Sequence, residues 1–280
     1  MHLPAKQVFK AADEAGDFRV MPCILGSGEA RLKVVKIIGT NKQSRRIPDQ
    51  ISVGQAFLLD NNDNSITHAF QACLLSSART GACAVLAIEK LARRRRRVRI
   101  IGSGRVGYYC GLFCTQIPGI GEVVFVDRDP ERAQAAAALL TRQCPWLNFH
   151  TATVDEADDT DVLVLATSSA TAFCLPPAGD ADLILSLGAD TDDQHELDPA
   201  WLGLASLYVD SLDSVNYGDL KAWTGKGLLE GEELTDLLAL YRHPVRQDEG
   251  RARVFISTGM ALFDALTIGY LMETPALKAG

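Results

Sequence analysis

The sequence is short of several things, and each absence narrows its possible roles. It has no Cys-x-x-Cys pair. The seven cysteines (Cys23, Cys73, Cys83, Cys110, Cys114, Cys144 and Cys174) are odd in number and scattered. Cys110 and Cys114 share a helix face, but no histidine stands near them to complete a zinc site. They read as reduced, buried apolar residues, and no metal is expected. No apolar run approaches the roughly 18 residues of a membrane helix. The N-terminal stretch MHLPAKQVFKAADEAGDF has no apolar signal core, so a soluble, cytoplasmic protein with no membrane partner is expected. Net charge is −7, which argues against nucleic acid as a partner. There is no Gly-x-Ser-x-Gly elbow, no internal repeat and no low-complexity tract beyond five consecutive arginines at 93–97.

What is present is a globular composition over 280 residues, long enough for two domains. RLKVVKIIG, from Arg31, reads as a strand ending at Gly39. QAFLLD and ITHAFQA, joined by NNDNS, read as a hairpin. CLLSSARTGACAVLAIEKLA carries apolar residues at helical spacing through Leu91. From there strands and helices alternate: VRIIGSG, the helix RVGYYCGLFCTQI stopped by Pro118, EVVFVD, the helix PERAQAAAALLTRQ, then NFHTA, DVLVLATSS, DLILSLGAD and LASLYVD. A helical stretch near 230–241, the strand ARVFIS and a last helix from TGMALFDAL close the chain. Apolar strands alternating with helices predict an α/β fold with a doubly wound parallel sheet of Rossmann type.

Residues 102–107, Gly-Ser-Gly-Arg-Val-Gly, follow a strand and open a helix. In that context Gly102 permits the tight turn, Gly104 lets a pyrophosphate approach the backbone, and Gly107 lets helix and strand pack closely. The loop and the first helical turn, with Arg105 and Val106, offer N–H groups to phosphates. Asp127 ends the second strand, 20 residues after Gly107, where an acid bonds the adenosine ribose. Arg128 follows and suits a 2′-phosphate, but the acid repels one, so NAD is expected over NADP. The arginine run, placed just before the first strand of this fold, reads as a solvated connector that also caps a helix C-terminus with positive charge.

Met21-Pro22, VVKIIG, LLD, ARTGACAVLAIEKLA, IIGSGRVG, VFVDRDP, LATSS, LSLGAD with HELD, LYVD, YGDL and FISTGMALFDAL lie in an order and spacing that resemble the ornithine cyclodeaminase / μ-crystallin family. The resemblance implies a smaller α+β substrate and dimerisation domain made of N- and C-terminal segments (1–92 and 252–280) around an NAD-binding Rossmann domain (93–251), a homodimer, and an amino-acid-like small-molecule substrate. IIGTNKQSRR and LLSSARTGA look most like the N-(2-amino-2-carboxyethyl)-glutamate dehydrogenase branch, which serves 2,3-diaminopropionate biosynthesis. Two departures stand out. More residues precede Met-Pro in the family than here, and Arg19 stands where cyclodeaminases carry an acid. The family also holds redox-neutral cyclodeaminases and crystallin-type small-ligand binders.

Chemistry at a Cα–N bond needs cations for the substrate carboxylate and an acid/base for the nitrogen. Lys36 matches the family's active-site lysine. Flanked by Val35 and Ile37 it would be partly desolvated, which suits proton transfer. Lys33, on the same strand, is the rival, and strand parity puts the two on opposite faces. Arg79 matches the family's carboxylate-binding arginine, and Thr80 its cofactor-phosphate contact. Asp190 matches the catalytic aspartate. An arginine that the family uses upstream of Met-Pro has Lys10 or Lys6 as its nearest counterpart. Arg45 and Arg46 suit a second substrate carboxylate. Thr167, Ser168 and Ser169 end a buried strand beside the cofactor, and Thr258 and Gly259 are expected to begin the last helix. His195 reads as a surface residue.

Overall fold

A computed structural model describes the chain except residues 12–15, 41–51, 157–158, 232, 244, 246–249 and 275–280. By internal contacts the chain forms two compact units, Met1–Arg79 with Met260–Gly280, and Thr80–Gly259.

The smaller unit is a five-stranded antiparallel sheet with strands in sequence order: β1 (Gln7–Phe9), β2 (Asp17–Leu25), β3 (Leu32–Thr40), β4 (Ser52–Leu59) and β5 (Ile66–Gln71). Alternation of side chains decides its two faces. Arg19, Met21 and Cys23 of β2 and Val34, Lys36 and Ile38 of β3 are buried, while Phe18, Ile24 and Ile37 are exposed. The register places Met21 and Ala56 on either side of Lys36. The buried face is covered by the last helix (Ala261–Glu273), through Ala261, Ala265 and Ile268, and by the start of α1 (Ala72–Leu91), through Ala72 and Leu75. Burying each large aliphatic there contributes roughly 1.5–3 kcal/mol. β1 and β2 are not legible in the sequence, where residues 1–17 show no periodicity. β1 is a three-residue edge strand with all its side chains exposed, so it leaves no apolar alternation to read.

α1 is long and apolar enough, by length and composition, to cross a membrane, but more than half of its most apolar window is buried within the protein. Its second half belongs to the larger unit, where Gly81 lies so close to Tyr109 that a Cβ would sit 2.7 Å from that residue's backbone.

The larger unit carries eight parallel strands in the order β12-β11-β13-β10-β9-β6-β7-β8. These are β6 (Arg97–Ile101), β7 (Glu122–Val126), β8 (Asn148–Thr151), β9 (Val162–Leu165), β10 (Leu183–Ser186), β11 (Ala205–Val209), β12 (Leu234–Asp236) and β13 (Ala252–Ile256). α2 (Arg105–Cys114) packs on β6, and α3 (Pro130–Gln143) on β7 and β8. Asp129 caps α3 by accepting from the Glu131 N–H at 3.1 Å, with Pro130 in the first turn, a local signal worth about 1 kcal/mol. α4 (Gly218–Gly225), α5 (Leu237–Arg242) and α6, the last helix named above, complete the helices. This is the doubly wound α/β fold expected, with an antiparallel second unit. Strand order reverses between β6 and β9, the crevice where such sheets take ligands.

Two boundaries differ from the sequence reading. The first break falls after Arg79, inside α1, rather than at 92. The second falls after Gly259 rather than at 251, because β13 is hydrogen-bonded between β10 and β11. Four of its five residues are buried, and such a strand needs a ladder on both sides. The stretch near 230–241 is a short strand followed by a short helix, since Asp236 caps α5 by accepting from the Ala239 N–H at 2.8 Å.

The arginine run is bound into the N-terminal edge of this sheet. Arg93 donates to the Arg251 carbonyl, and Arg94 to the Asp180 carbonyl. Arg95 donates to the Glu89 carbonyl of α1, and Arg97 faces Glu122 at 3.5 Å. The backbone N–H groups of Arg96 and Arg97 both donate to Asp161 Oδ2, at 2.7 and 3.1 Å. Asp161→Ala therefore removes the shared acceptor of the connector. The expected loss is about 1–3 kcal/mol of stability, read as a lower urea midpoint, with no change in ligand binding.

Candidate functional site

The smaller unit gathers charge on the buried face of its sheet. Lys36 is 1% exposed. Its Nζ lies 2.6 Å from Asp264 Oδ2, on α6, and donates to Ser76 Oγ, on α1, at 3.1 Å. Arg79, one turn along α1, presents Nε to Asp264 Oδ1 at 3.3 Å. Asp264 is fully buried, and neither of its oxygens receives a well-aligned hydrogen bond, so the contacts are ion pairs rather than ladder-like bonds. Among the described residues no acceptor bonds the Nη atoms of Arg79. Arg19, on the same face, pairs with Asp17 through Nε and Nη2, both at 3.2 Å, and Thr40 Oγ1 donates to Asp17 as well. Burial, with a contribution from Asp264, pushes the Cys23 thiol up, so it is a neutral neighbour.

Lys33 is placed elsewhere. Its Nζ donates to the Asn61 carbonyl and to Asn64 Oδ1, both at 2.8 Å, and so closes the β4–β5 turn. Lys10 is exposed just beyond β1, outside the cluster. Arg45 and Arg46 lie outside the described residues.

In the larger unit the chemistry-bearing residues line the carboxyl ends of the strands. Gly102 has φ +101°, and its N–H donates to the Val126 carbonyl at 2.8 Å. A Cβ there would sit 2.3 Å from the Ala166 carbonyl oxygen, and one at Gly107 would sit 2.0 Å from that of Gly102. Both are held to glycine by backbone packing. At Gly104, exposed at the start of α2, a Cβ meets no protein atom within 4 Å. No side chain caps this helix start, which Arg105 and Val106 open. Asp127 accepts from the Ser103 N–H at 2.7 Å and the Asp129 N–H at 3.0 Å, so it ties the end of β7 to the glycine loop. Arg128 is exposed beside it, and Thr80 is buried on α1.

Thr167 donates through both N–H and Oγ1 to Glu196 Oε1, at 2.7 and 2.9 Å. Ser186 Oγ and the Gly188 N–H donate to Glu196 Oε2, at 2.8 and 2.9 Å. This fully buried carboxylate pins the ends of β9 and β10 together. Ser168 is exposed and Ser169 buried. Asp190 lies four residues past β10, half-buried, with its N–H on the Gly188 carbonyl at 3.2 Å. Asp219 accepts from the N–H groups of Glu196 and Leu197 and faces His195 Nδ1 at 3.0 Å. His195 is thus oriented by a buried acid rather than loose on the surface.

Thr258 and Gly259 do not begin the last helix, which starts at Ala261. Gly259 has φ +80°, and its N–H donates to Asp210 Oδ2 at 2.8 Å. Thr258 Oγ1 donates to Ser214 Oγ at 3.0 Å. Asp210, at the end of β11, holds this loop out of helical conformation.

Glu196, Asp219 and Asp182 are all raised by burial, against the pull of their hydrogen bonds or neighbouring arginines. The folded chain therefore holds more protons than the unfolded one between the ordinary carboxylate range, about 4, and the raised values. That contribution to stability is complete below the ordinary range and is lost as pH rises through the raised values. Urea unfolding should show stability falling with rising pH across this window. Glu196→Gln should flatten the fall, and an unchanged slope would contradict this account.

Asp264, Ser76 and Glu196 escape the sequence reading. The signal for Asp264 is present: it is a lone acid in the apolar helix ALFDALTIGY, and a buried charge requires a partner.

Known proteins are similar to this chain over most of its length. The chain is 24% identical over 279 residues to a Δ1-pyrroline-2-carboxylate reductase of Bacillus cereus, covering 96% of this chain and 85% of that one. It is 26% identical over 268 residues to the iminosuccinate reductase of Paracoccus denitrificans, covering 92% and 79%. The structure of Thermococcus litoralis Δ1-pyrroline-2-carboxylate reductase, solved with NADH and L-proline, superposes with a TM-score of 0.85 at 20% identity, over 99% of this chain and 88% of that one. The ornithine cyclodeaminase/mu-crystallin family model matches residues 2–277, so a glycine-loop parallel sheet joined to an antiparallel unit with a buried lysine is here the fold of a member of that family.

Proposed function

We propose that this chain is an NAD-dependent oxidoreductase acting at the Cα–N bond of an amino acid or N-substituted amino acid, forming or reducing the corresponding imine. The observation that carries this reading is the cluster of Lys36, Asp264 and Arg79: a desolvated ammonium beside a buried guanidinium whose Nη edge meets no acceptor among the described residues. The relatives' names point the same way, since both describe reduction of an imine next to a carboxylate.

The glycine loop fits a dinucleotide. The uncapped start of α2 and the open space over Gly104 match a pyrophosphate, and the Asp127 carboxylate matches a ribose. Bound NADH supplies the hydride. Arg79 grips the substrate carboxylate with its Nη pair. Lys36 delivers a proton to the imine nitrogen in reduction and accepts one in oxidation. Asp190 activates the water that opens the imine. Arg19, in place of an acid, favours net redox over the redox-neutral cyclodeaminase cycle.

The homodimer belongs to the same reading. Phe18, Ile24, Ile37 and Val53 are exposed on the outer face of the smaller sheet, and Phe9 stacks on Phe18 at 4.9 Å, an apolar face suited to a second copy. A cytoplasmic location accords with a nicotinamide enzyme of amino-acid metabolism.

The test is a panel of Δ1-pyrroline-2-carboxylate, iminosuccinate, free amino acids and N-(2-amino-2-carboxyethyl)-glutamate, each with NAD(H) and NADP(H), following nicotinamide absorbance. Net change with one member supports the reading, and change with none sinks it. Arg79→Leu should raise KM for the active member by about 100-fold with NADH affinity unchanged. Asp127→Ser should weaken NADH by about tenfold and raise the NADPH/NADH preference. An unaltered preference would remove Asp127 from the ribose site.

A further inference from the structure

Lys36 and Arg79 place two cations on one buried face, and one carboxylate meets both. Asp264 contacts Lys36 through Oδ2 at 2.6 Å and the Nε edge of Arg79 through Oδ1 at 3.3 Å. We propose that Asp264 is a positioning residue of this site: one oxygen holds Lys36 as an ammonium and the other fixes Arg79 by its Nε edge, so that both cations meet the substrate at preset places. The proposal rests on the oxidoreductase reading for its catalytic meaning, but not for the clamp itself.

The physical argument is one of charge. A lysine 1% exposed has lost nearly all its water, which favours the neutral amine. A neighbouring guanidinium pushes the same way. Every element packed around Lys36 contributes to the balance. α1 brings Arg79 and the neutral Ser76, β2 brings Arg19 and the thiol of Cys23, β4 brings Ala56, and α6 brings Asp264. Arg19 is already paired with Asp17. Asp264 is an acid in direct contact with Lys36, and Lys36, Arg79 and Asp264 together carry one net positive charge, which matches one substrate carboxylate.

The experiment follows the protonation of Lys36 by 15N NMR of lysine Nζ in the full chain, with the resonance assigned by Lys36→Arg. The pH profile of kcat/KM is recorded alongside. In Asp264→Asn, Lys36 should lose its proton at a pH lower by at least about 1, and the alkaline limb of the profile should move with it. KM for a carboxylate substrate should rise as Arg79 loses its anchor. An unmoved Nζ titration overturns the proposal, as does a fall in activity with an unmoved limb, the pattern of a merely structural residue. Should Asp264→Asn not fold, the unmodified protein decides. Lys36 still an ammonium above about pH 9 supports the clamp, and its loss of the proton below that overturns it. If the NMR shift occurs but no panel member is turned over, the clamp stands and the oxidoreductase reading falls.

Discussion

Replacing Lys36 with methionine is expected to lower kcat for imine reduction by about a thousandfold, the usual worth of a positioned general acid, while NADH affinity is preserved. Methionine keeps much of the length of the side chain and removes the charge. Among the described residues Asp264 then retains Arg79 as its counter-charge in a fully buried site. Breaking a buried pair from one side costs about 3–5 kcal/mol, so the variant should also unfold at lower denaturant. The two effects are separable. NADH titration by fluorescence reports the proposed dinucleotide site of the larger unit, and kcat is measured where the folded fraction is complete. Lys33→Met is the control, since Lys33 closes an exposed turn through the Asn61 carbonyl and Asn64. Its expected cost is a few tenths of a kcal/mol with kcat unchanged. If Lys36→Met retains full turnover of the true substrate, the proton donor lies elsewhere.

Substitutions in the glycine loop should divide according to what each glycine faces. At Gly107 a Cβ meets the Gly102 carbonyl oxygen at 2.0 Å, which is backbone and cannot swing aside. Gly107→Ala therefore pushes α2 off β6. The start of α2 would then no longer present its N–H groups to the pyrophosphate of the proposed dinucleotide. Losing two such charge-assisted bonds raises the Kd for NADH by more than about 100-fold, and the overpacking costs about 1–3 kcal/mol of stability. Gly104→Ala makes the opposite test. No protein atom lies within 4 Å of its Cβ, so the fold should be unaffected, yet the methyl occupies the space assigned to the pyrophosphate. Melting at the native temperature with NADH binding weakened at least tenfold is expected. Binding as tight as in the unmodified chain would mean that the phosphates do not cross this loop.

Much of this is legible in the sequence because it is local. The alternation of short apolar strands with helices carries the parallel sheet. Asp129-Pro130-Glu131 announces the start of α3. The spacing from Gly107 to Asp127 places an acid at the second strand's tip, where it meets Ser103. Strand parity alone separates Lys33 from Lys36. Other features are not legible, for equally physical reasons. β2 escapes notice because Met21-Pro22 breaks the usual strand vocabulary. β13 falls to the wrong unit because a buried apolar strand does not say which sheet it joins. Thr258 and Gly259 read as helical because nothing nearby in sequence reveals that Asp210 claims the Gly259 N–H.

The sequence by itself determined the fold class and the dinucleotide-type loop, since each depends on neighbours within about one element's length, while the candidate cations came from the family resemblance. Only the tertiary structure decided the charge partner of Lys36. A buried ammonium needs an acid in contact, and the backbone delivers that acid from α6, the last helix of the chain, onto a strand near its beginning. No pattern of composition or period relates Lys36 to Asp264. The packing of the helix on the sheet does, because neither charge is tolerable there without the other.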